Sequence, residues 1–224
     1  MPNYTVSEFR PNPAGSAWRN SVMLTRRSAL LFGLAVPLAP AQLFKKTLPW
    51  PSRLVCSARR QIGVTRTYDP AYVQLDYPMG DIPRDRGVCT DVIIRAYRDA
   101  FQIDLQKLVH EDMTETFDSY PAIWGLTRPD RNIDHRRVPN LERFIERFGS
   151  ALSTPSKVTD WKSGDLYTMR YKGSLPHIGI VSDRTSYSGT PLVIHNMGWG
   201  TSEDDIIGRF DFERRFRLSP MSLI

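Results

Sequence analysis

Apolar residues recur at helical spacing through Val88, Val92, Ile93, Ala96, Tyr97 and Ala100, directly after the polar turn Asp85-Arg86-Gly87. That pattern predicts a helix opening at or beside Cys89. Upstream, Ser52 can cap a helix that runs through Gln61 and ends at Gly63; downstream, Asp104 can cap one to about Phe117 and Asp118 a short one ending before Gly125. Leu141 to Phe148 repeats the helical spacing and stops at Gly149. Beyond that point the period changes to short runs rich in β-branched and aromatic residues: 165–170, 177–182, 192–195, 209–212 and 215–218. Helices first and a strand meander second predict an α+β domain, with N-terminal helices packed on one face of an antiparallel sheet. The Tyr- and Pro-rich stretch 67–86 reads as a long irregular loop with one helical turn at 71–75, and it delivers the chain to Cys89.

With 224 residues and 41% hydrophobic content, the chain suits one globular domain with a real core. The net charge of +6 invites an acidic partner until it is apportioned. Residues 1–41 hold four arginines and one glutamate, which leaves 26 basic against 23 acidic residues in the remainder. No basic block interleaved with aromatics is present, so nucleic acid is not an expected partner. Thr25-Arg26-Arg27-Ser28, the apolar run Ala29 to Leu38 and the small residues Ala39-Pro40-Ala41 follow the order of an export signal, with Met23 an alternative start. The paired arginines resemble a twin-arginine signal, and the apolar run is too short for a lasting membrane span. The expected organisation is an extension and signal over 1–41, a linker over 42–52 and one domain over 53–224, with the mature protein in the periplasm.

The candidate chemistry centres on Cys89. Unpaired N–H groups and the positive end of the dipole at a helix start favour the thiolate, so a lowered thiol pKa is expected there. The chain's other cysteine, Cys56, offers a disulfide in an oxidising compartment, but folding before export leaves Cys89 free. A thiol nucleophile needs a base and a group that orients the base. His177 opens one expected strand and His195 closes the next, so a hairpin would set them side by side, His177 as base and His195 as its orienting partner. The backbone N–H of Cys89 would be one oxyanion donor. His110 reads as a helix-surface residue. In the charged loop 128–139, Arg136 and Arg137 are placed to grip a carboxylate, and Trp199 is a candidate for the wall of a substrate groove.

Gly164-Asp165-Leu166-Tyr167, His177-Ile178-Gly179-Ile180-Val181 and Val193-Ile194-His195-Asn196, following a helix-opening cysteine, resemble the NlpC-type branch of the papain-like cysteine peptidases. The chain also resembles an exported bacterial family of unassigned function in that clan. The resemblance implies a papain-like fold, a Cys-His-His triad of Cys89, His177 and His195, and cleavage of amide bonds in peptidoglycan stem peptides. It also implies a tyrosine that assists the oxyanion, for which Tyr68 is the candidate and Tyr77 the alternative. The family context Asp-Cys-Ser-Gly is replaced by Val88-Cys89-Thr90-Asp91, so Asp91 stands either as a substitute acid for the substrate's amine or as a favourable charge at the helix start. No cofactor is expected. Two rival readings are a zinc site built from Cys89, His177 and His195, and a murein-binding domain without turnover.

Overall fold

The computed structural model describes residues 47–224; the expected extension and export signal lie outside the described residues. Four helices come before most of the sheet: α1 (Trp50–Arg59), α2 (Cys89–Phe101), α3 (Leu105–Glu115) and α4 (Val138–Phe148). A two-residue parallel pair, β1 (Thr67–Tyr68) and β2 (Arg86–Gly87), brackets the loop that leads to α2. The remaining strands are β3 (Ser150–Leu152), β4 (Leu166–Tyr171), β5 (Leu175–Thr185), β6 (Pro191–Asn196), β7 (Thr201–Asp204) and β8 (Asp211–Arg217). They form a six-stranded antiparallel sheet in the order β3-β8-β4-β5-β6-β7. The meander β4 to β7 is therefore continuous, and β8 returns to the far side of β4.

Alternation along the strands makes two cores. Leu166, Ile178, Ile180, Ile194 and Phe216 face the helices and pack with Val92, Ile93, Ala96, Phe144 and Ile145. Tyr167, Met169, Val181 and Val193 face the other way and are covered by Trp161, Ile206 and Ile207. The helix α2 is buried along most of its length, and each isoleucine fully removed from water there contributes about 2 kcal/mol. Tyr97 in α2 donates its hydroxyl hydrogen to the Leu218 carbonyl at 2.6 Å, which ties the helix to the C-terminal end of the domain.

Several boundaries differ from the sequence expectation. The first helix starts at Trp50, inside the expected linker, because Pro51 falls in the first turn, where its missing N–H has no intrahelical partner to lose. Pro139 plays the same part in α4, which starts at Val138 rather than Leu141. No helical turn forms at 71–75: Ala71 N–H donates to Asp69 Oδ1 and Leu75 N–H to Asn132 Oδ1, so side chains satisfy the backbone instead. The two last expected runs merge into one strand, β8. The polar strand β7 carries no apolar alternation and pairs only as a sheet edge.

Candidate active site

Cys89 is the first residue of α2, and Val88 is its N-cap in an extended conformation. Valine has no side-chain acceptor, so the helix start is held from within: Asp91 Oδ2 accepts the Val88 N–H at 2.7 Å. Gly87 sits where a Cβ would come within 3.0 Å of Asp91 Oδ2 and 3.1 Å of Arg95 Nη1, which explains a glycine before the cap. Arg95, fully buried in α2, grips Asp81 (Nε to Oδ2 3.0 Å, Nη2 to Oδ1 2.8 Å) and donates to the Ile82 carbonyl and Thr65 Oγ1. That grip anchors the 67–86 loop and with it the residues leading to the thiol.

The histidines sit on neighbouring strands. The β5–β6 ladder runs from Thr185–Pro191 to Ile180–Ile194 and stops there. Beyond that end, Asn196 Nδ2 donates to the Gly87 carbonyl at 2.9 Å, so the segment entering α2 is bound to the end of β6. His177 Nε2 and His195 Nδ1 are 3.0 Å apart, one donating to the other, with the rings edge to face at 87°. His177 Nδ1 takes no part in this bond. Gly179, between the two histidines on the sheet face, permits this approach: a Cβ there would lie 3.0 Å from the His195 Cβ and 2.4 Å from Val193 Cγ1.

The thiol faces the N–H groups of Ile178, Thr90 and Cys89 itself, which favour the thiolate, yet burial pushes the Cys89 thiol up to about 11, with the Asp91 charge adding to the rise. The lowered pKa expected from the helix start is therefore reversed in sign, because desolvation outweighs the N–H groups. Burial, and secondarily the charge of His195, holds His177 down at about 3. The two shifts favour the uncharged form of each group, a neutral thiol and a neutral imidazole. Tyr68 lines the same cleft as Cys89; burial first, then the nearby Cys89 and Asp91 groups, raise its hydroxyl to about 12, so it remains a hydrogen donor at neutral pH. Tyr77, the alternative, stacks edge-on against His110 instead.

A cleft of about 230 Å³ opens beside the sulfur, lined by Tyr68, Cys89, Trp124, Arg137 and Pro176 among others. Of the residues expected to bind substrate, Asp91 and Arg136 are spent on each other. They form a buried pair, Nε to Oδ1 at 3.1 Å and Nη2 to Oδ2 at 3.0 Å, and Arg136 also donates to the Ala71 and Asp69 carbonyls. This pair is a strut between the start of α2 and the segment after Tyr68: Asp91 does not line the cleft, and Arg136 lines it with its donors already taken by Asp91 and these two carbonyls. Arg137 also lines the cleft, 4.2 Å over the Trp124 ring. Trp199 does not line the cleft. It projects into solvent from the β6–β7 turn, because Thr201 N–H donates to the Thr65 carbonyl at 2.8 Å and a Cβ on Gly200 would collide with that same strip of backbone.

One residue escaped the sequence reading. Asp204 Oδ2 on β7 lies 3.2 Å from His195 Nε2, and this contact holds the Asp204 carboxyl below its ordinary range. The approach is off the line of the ring N–H, since Nε2 makes no aligned hydrogen bond. Only the β6–β7 register, His195 opposite Ser202, brings Asp204 within reach. Cys56 and Cys89 are both free, the first exposed on α1 and the second buried. Among the described residues no group of three or more His, Cys, Asp or Glu is placed to hold a metal ion, and the two imidazoles direct nitrogens at each other rather than at a shared point. Among the same residues no helix is long and apolar enough to cross a membrane.

Comparison with known proteins finds a family described as "Domain of unknown function (DUF1287)" matching residues 55–218. A protein of Escherichia coli (strain K12), "Uncharacterized protein YijF", is 55% identical over 150 residues, covering 67% of this chain and 73% of that one. Among solved structures, an N-acetylmuramoyl-L-alanine amidase from Bacteroides uniformis ATCC 8492 superposes with a TM-score of 0.48 at 11% identity, covering 76% of this chain and 99% of that one.

Proposed function

The chain belongs to the DUF1287 family, and we propose that it is a thiol-dependent hydrolase of amide bonds in peptidoglycan stem peptides, exported to the periplasm and built on a papain-like plan. One observation carries the reading: a cysteine opens a helix that packs on β5 and β6, the two strands whose histidines are hydrogen-bonded to each other, and it shares a cleft with a tyrosine. The amide preference and the cell-wall substrate come from the ordered Cys, Gly-Asp-Leu, His-Ile-Gly-Ile and Ile-His motifs.

In the proposed reaction, the sulfur of Cys89 attacks the amide carbonyl carbon while His177 Nδ1 takes the thiol proton. The charge on the carbonyl oxygen is met by the Cys89 backbone N–H and the Tyr68 hydroxyl. Collapse of the tetrahedral intermediate breaks the C–N bond, and His177 returns its proton to the departing amine, leaving a thioester. Water, deprotonated by the same imidazole, then attacks the thioester; the products are a carboxylic acid and the restored thiol. His195 holds the His177 ring through the 3.0 Å bond, and Asp204 lies behind His195. Because thiol and imidazole rest neutral, charge separates only as the carbonyl is attacked.

The test is incubation of the purified protein with defined muropeptides and product identification by mass. The reading requires new amine and carboxyl termini at one bond, abolished in Cys89→Ala and unaffected by chelators. Intact muropeptides after prolonged incubation with folded protein would refute it, and loss of activity to a chelator would favour the zinc alternative.

A further inference from the structure

A second cavity, of about 130 Å³, adjoins the Cys89 cleft and shares two of its walls, Trp124 and Arg137. Asp134 lines it and is 1% exposed. One carboxylate oxygen, Oδ2, accepts the Asp130 N–H; the other, Oδ1, is buried without a hydrogen-bond partner. Arg137 Nη1 is also buried and unpartnered, 3.6 Å from that same oxygen. The neighbouring Arg136–Asp91 pair, by contrast, closes into two bonds of 3.1 and 3.0 Å. The gap at Arg137 persists because each side is held elsewhere: the guanidinium lies over the Trp124 ring, and the carboxylate accepts from Asp130. Unpaired buried donors and acceptors of this kind are costly unless something completes them. Burial accordingly raises the Asp134 carboxyl to about 6 and lowers the Arg137 guanidinium.

We propose that this cavity is a subsite for a free amino-acid end, with the ammonium donating to Asp134 Oδ1 and the carboxylate accepting from Arg137 Nη1. Opposite charges on one carbon match an acceptor and a donor that stand as an ion pair 3.6 Å apart with no hydrogen bond between them, and the cavity holds a group of a few heavy atoms. Leu126 and Phe117 supply apolar wall for the rest of the residue. In the hydrolase reading, on which its biological role rests, the subsite would select stem peptides that carry an uncapped zwitterionic terminus near the bond attacked at Cys89.

Binding is measurable without turnover. Titrating the full-length protein with alanine, N-acetylalanine and alaninamide, and following the Trp124 indole N–H by NMR, should show saturable shifts with alanine and binding about tenfold weaker with either capped form. Asp134→Asn should erase the preference for alanine over N-acetylalanine, and Arg137→Gln the preference over alaninamide. Equal binding of all three compounds to the wild-type protein, or no shift at Trp124 with alanine at tens of millimolar, would overturn the proposal without relying on any variant's folding. Alanine binding in a protein that cleaves no muropeptide would keep the subsite and remove the hydrolase; cleavage with no zwitterion preference would do the reverse.

Discussion

The resting protonation state of Cys89 yields a prediction with a worked magnitude. Burial raises the thiol from an ordinary value of 9.0 to about 11. Below pH 9 the thiolate fraction is then about a hundredfold smaller than for an unperturbed thiol. The more basic thiolate is intrinsically more nucleophilic, which recovers about eightfold over two pKa units. The net expectation is alkylation about tenfold slower than for an unperturbed thiol, before any penalty for access to a buried sulfur. The sharper signature is the pH profile: the logarithm of the Cys89 rate should climb with unit slope well past pH 9 and bend only near about 11. Iodoacetamide labelling between pH 6 and 10.5, quantified peptide by peptide, measures this, with exposed Cys56 as an internal reference in the same molecule. A plateau for Cys89 at or below pH 8, the mark of a preformed thiolate–imidazolium pair, would refute the neutral resting state and the desolvation argument behind it.

Other expectations rest on single contacts. Tyr68→Phe removes a proposed oxyanion donor and should lower kcat about a hundredfold or more with little change in KM; an unchanged kcat in muropeptide assays removes Tyr68 from the reaction. Asp204→Asn acts on a half-exposed carboxylate behind His195, so a loss of no more than about fivefold is expected. His195→Ala should cost far more than that, and an equal effect of the two variants would show that His195 does not orient the base. Arg136→Ala leaves Asp91 buried and uncompensated, so it should destabilise the fold by about 3–5 kcal/mol in urea denaturation; a fully stable variant with only a raised KM would restore Arg136 as a substrate ligand. His135 and His177 are both held near 3 by burial, so the unfolded chain binds more protons below pH 6.5 and stability falls as pH drops from there. Asp134, raised to about 6 from 3.8, has the opposite sign and gains stability as pH falls through 6. Between pH 7 and 5 each histidine costs about 2 kcal/mol and Asp134 returns about 1, a net loss of about 3 kcal/mol. Denaturation midpoints that rise toward pH 5 would contradict the burial of these groups.

Much of the domain was legible in the order of its residues. The 3.6-residue period located α2 and set its start at or beside Cys89, and short runs rich in β-branched and aromatic residues located β4, β5 and β6 within a few residues, because those residue types suit a buried, pleated strand and are visible locally. Motif order alone pointed to the two histidines as neighbours, and Gly179 in that motif has a steric reason that the sheet makes visible. Edges and first turns were less legible: β7 is polar on both faces, and prolines at 51 and 139 look like breakers until they are seen within helix starts.

What the sequence determined by itself is the set of reactive groups and the elements that carry them. Tertiary structure decided their state and company. Adjacent Arg136 and Arg137 are indistinguishable in the chain and both line the cleft, yet one is closed on Asp91, 45 residues away, while the other lies over the Trp124 ring. The thiol's titration was likewise beyond local reading: a helix start lowers a pKa and burial raises it, and only packing from the rest of the molecule says which is larger. Asp204 came to His195 through strand register, a relation between distant segments that no local period encodes.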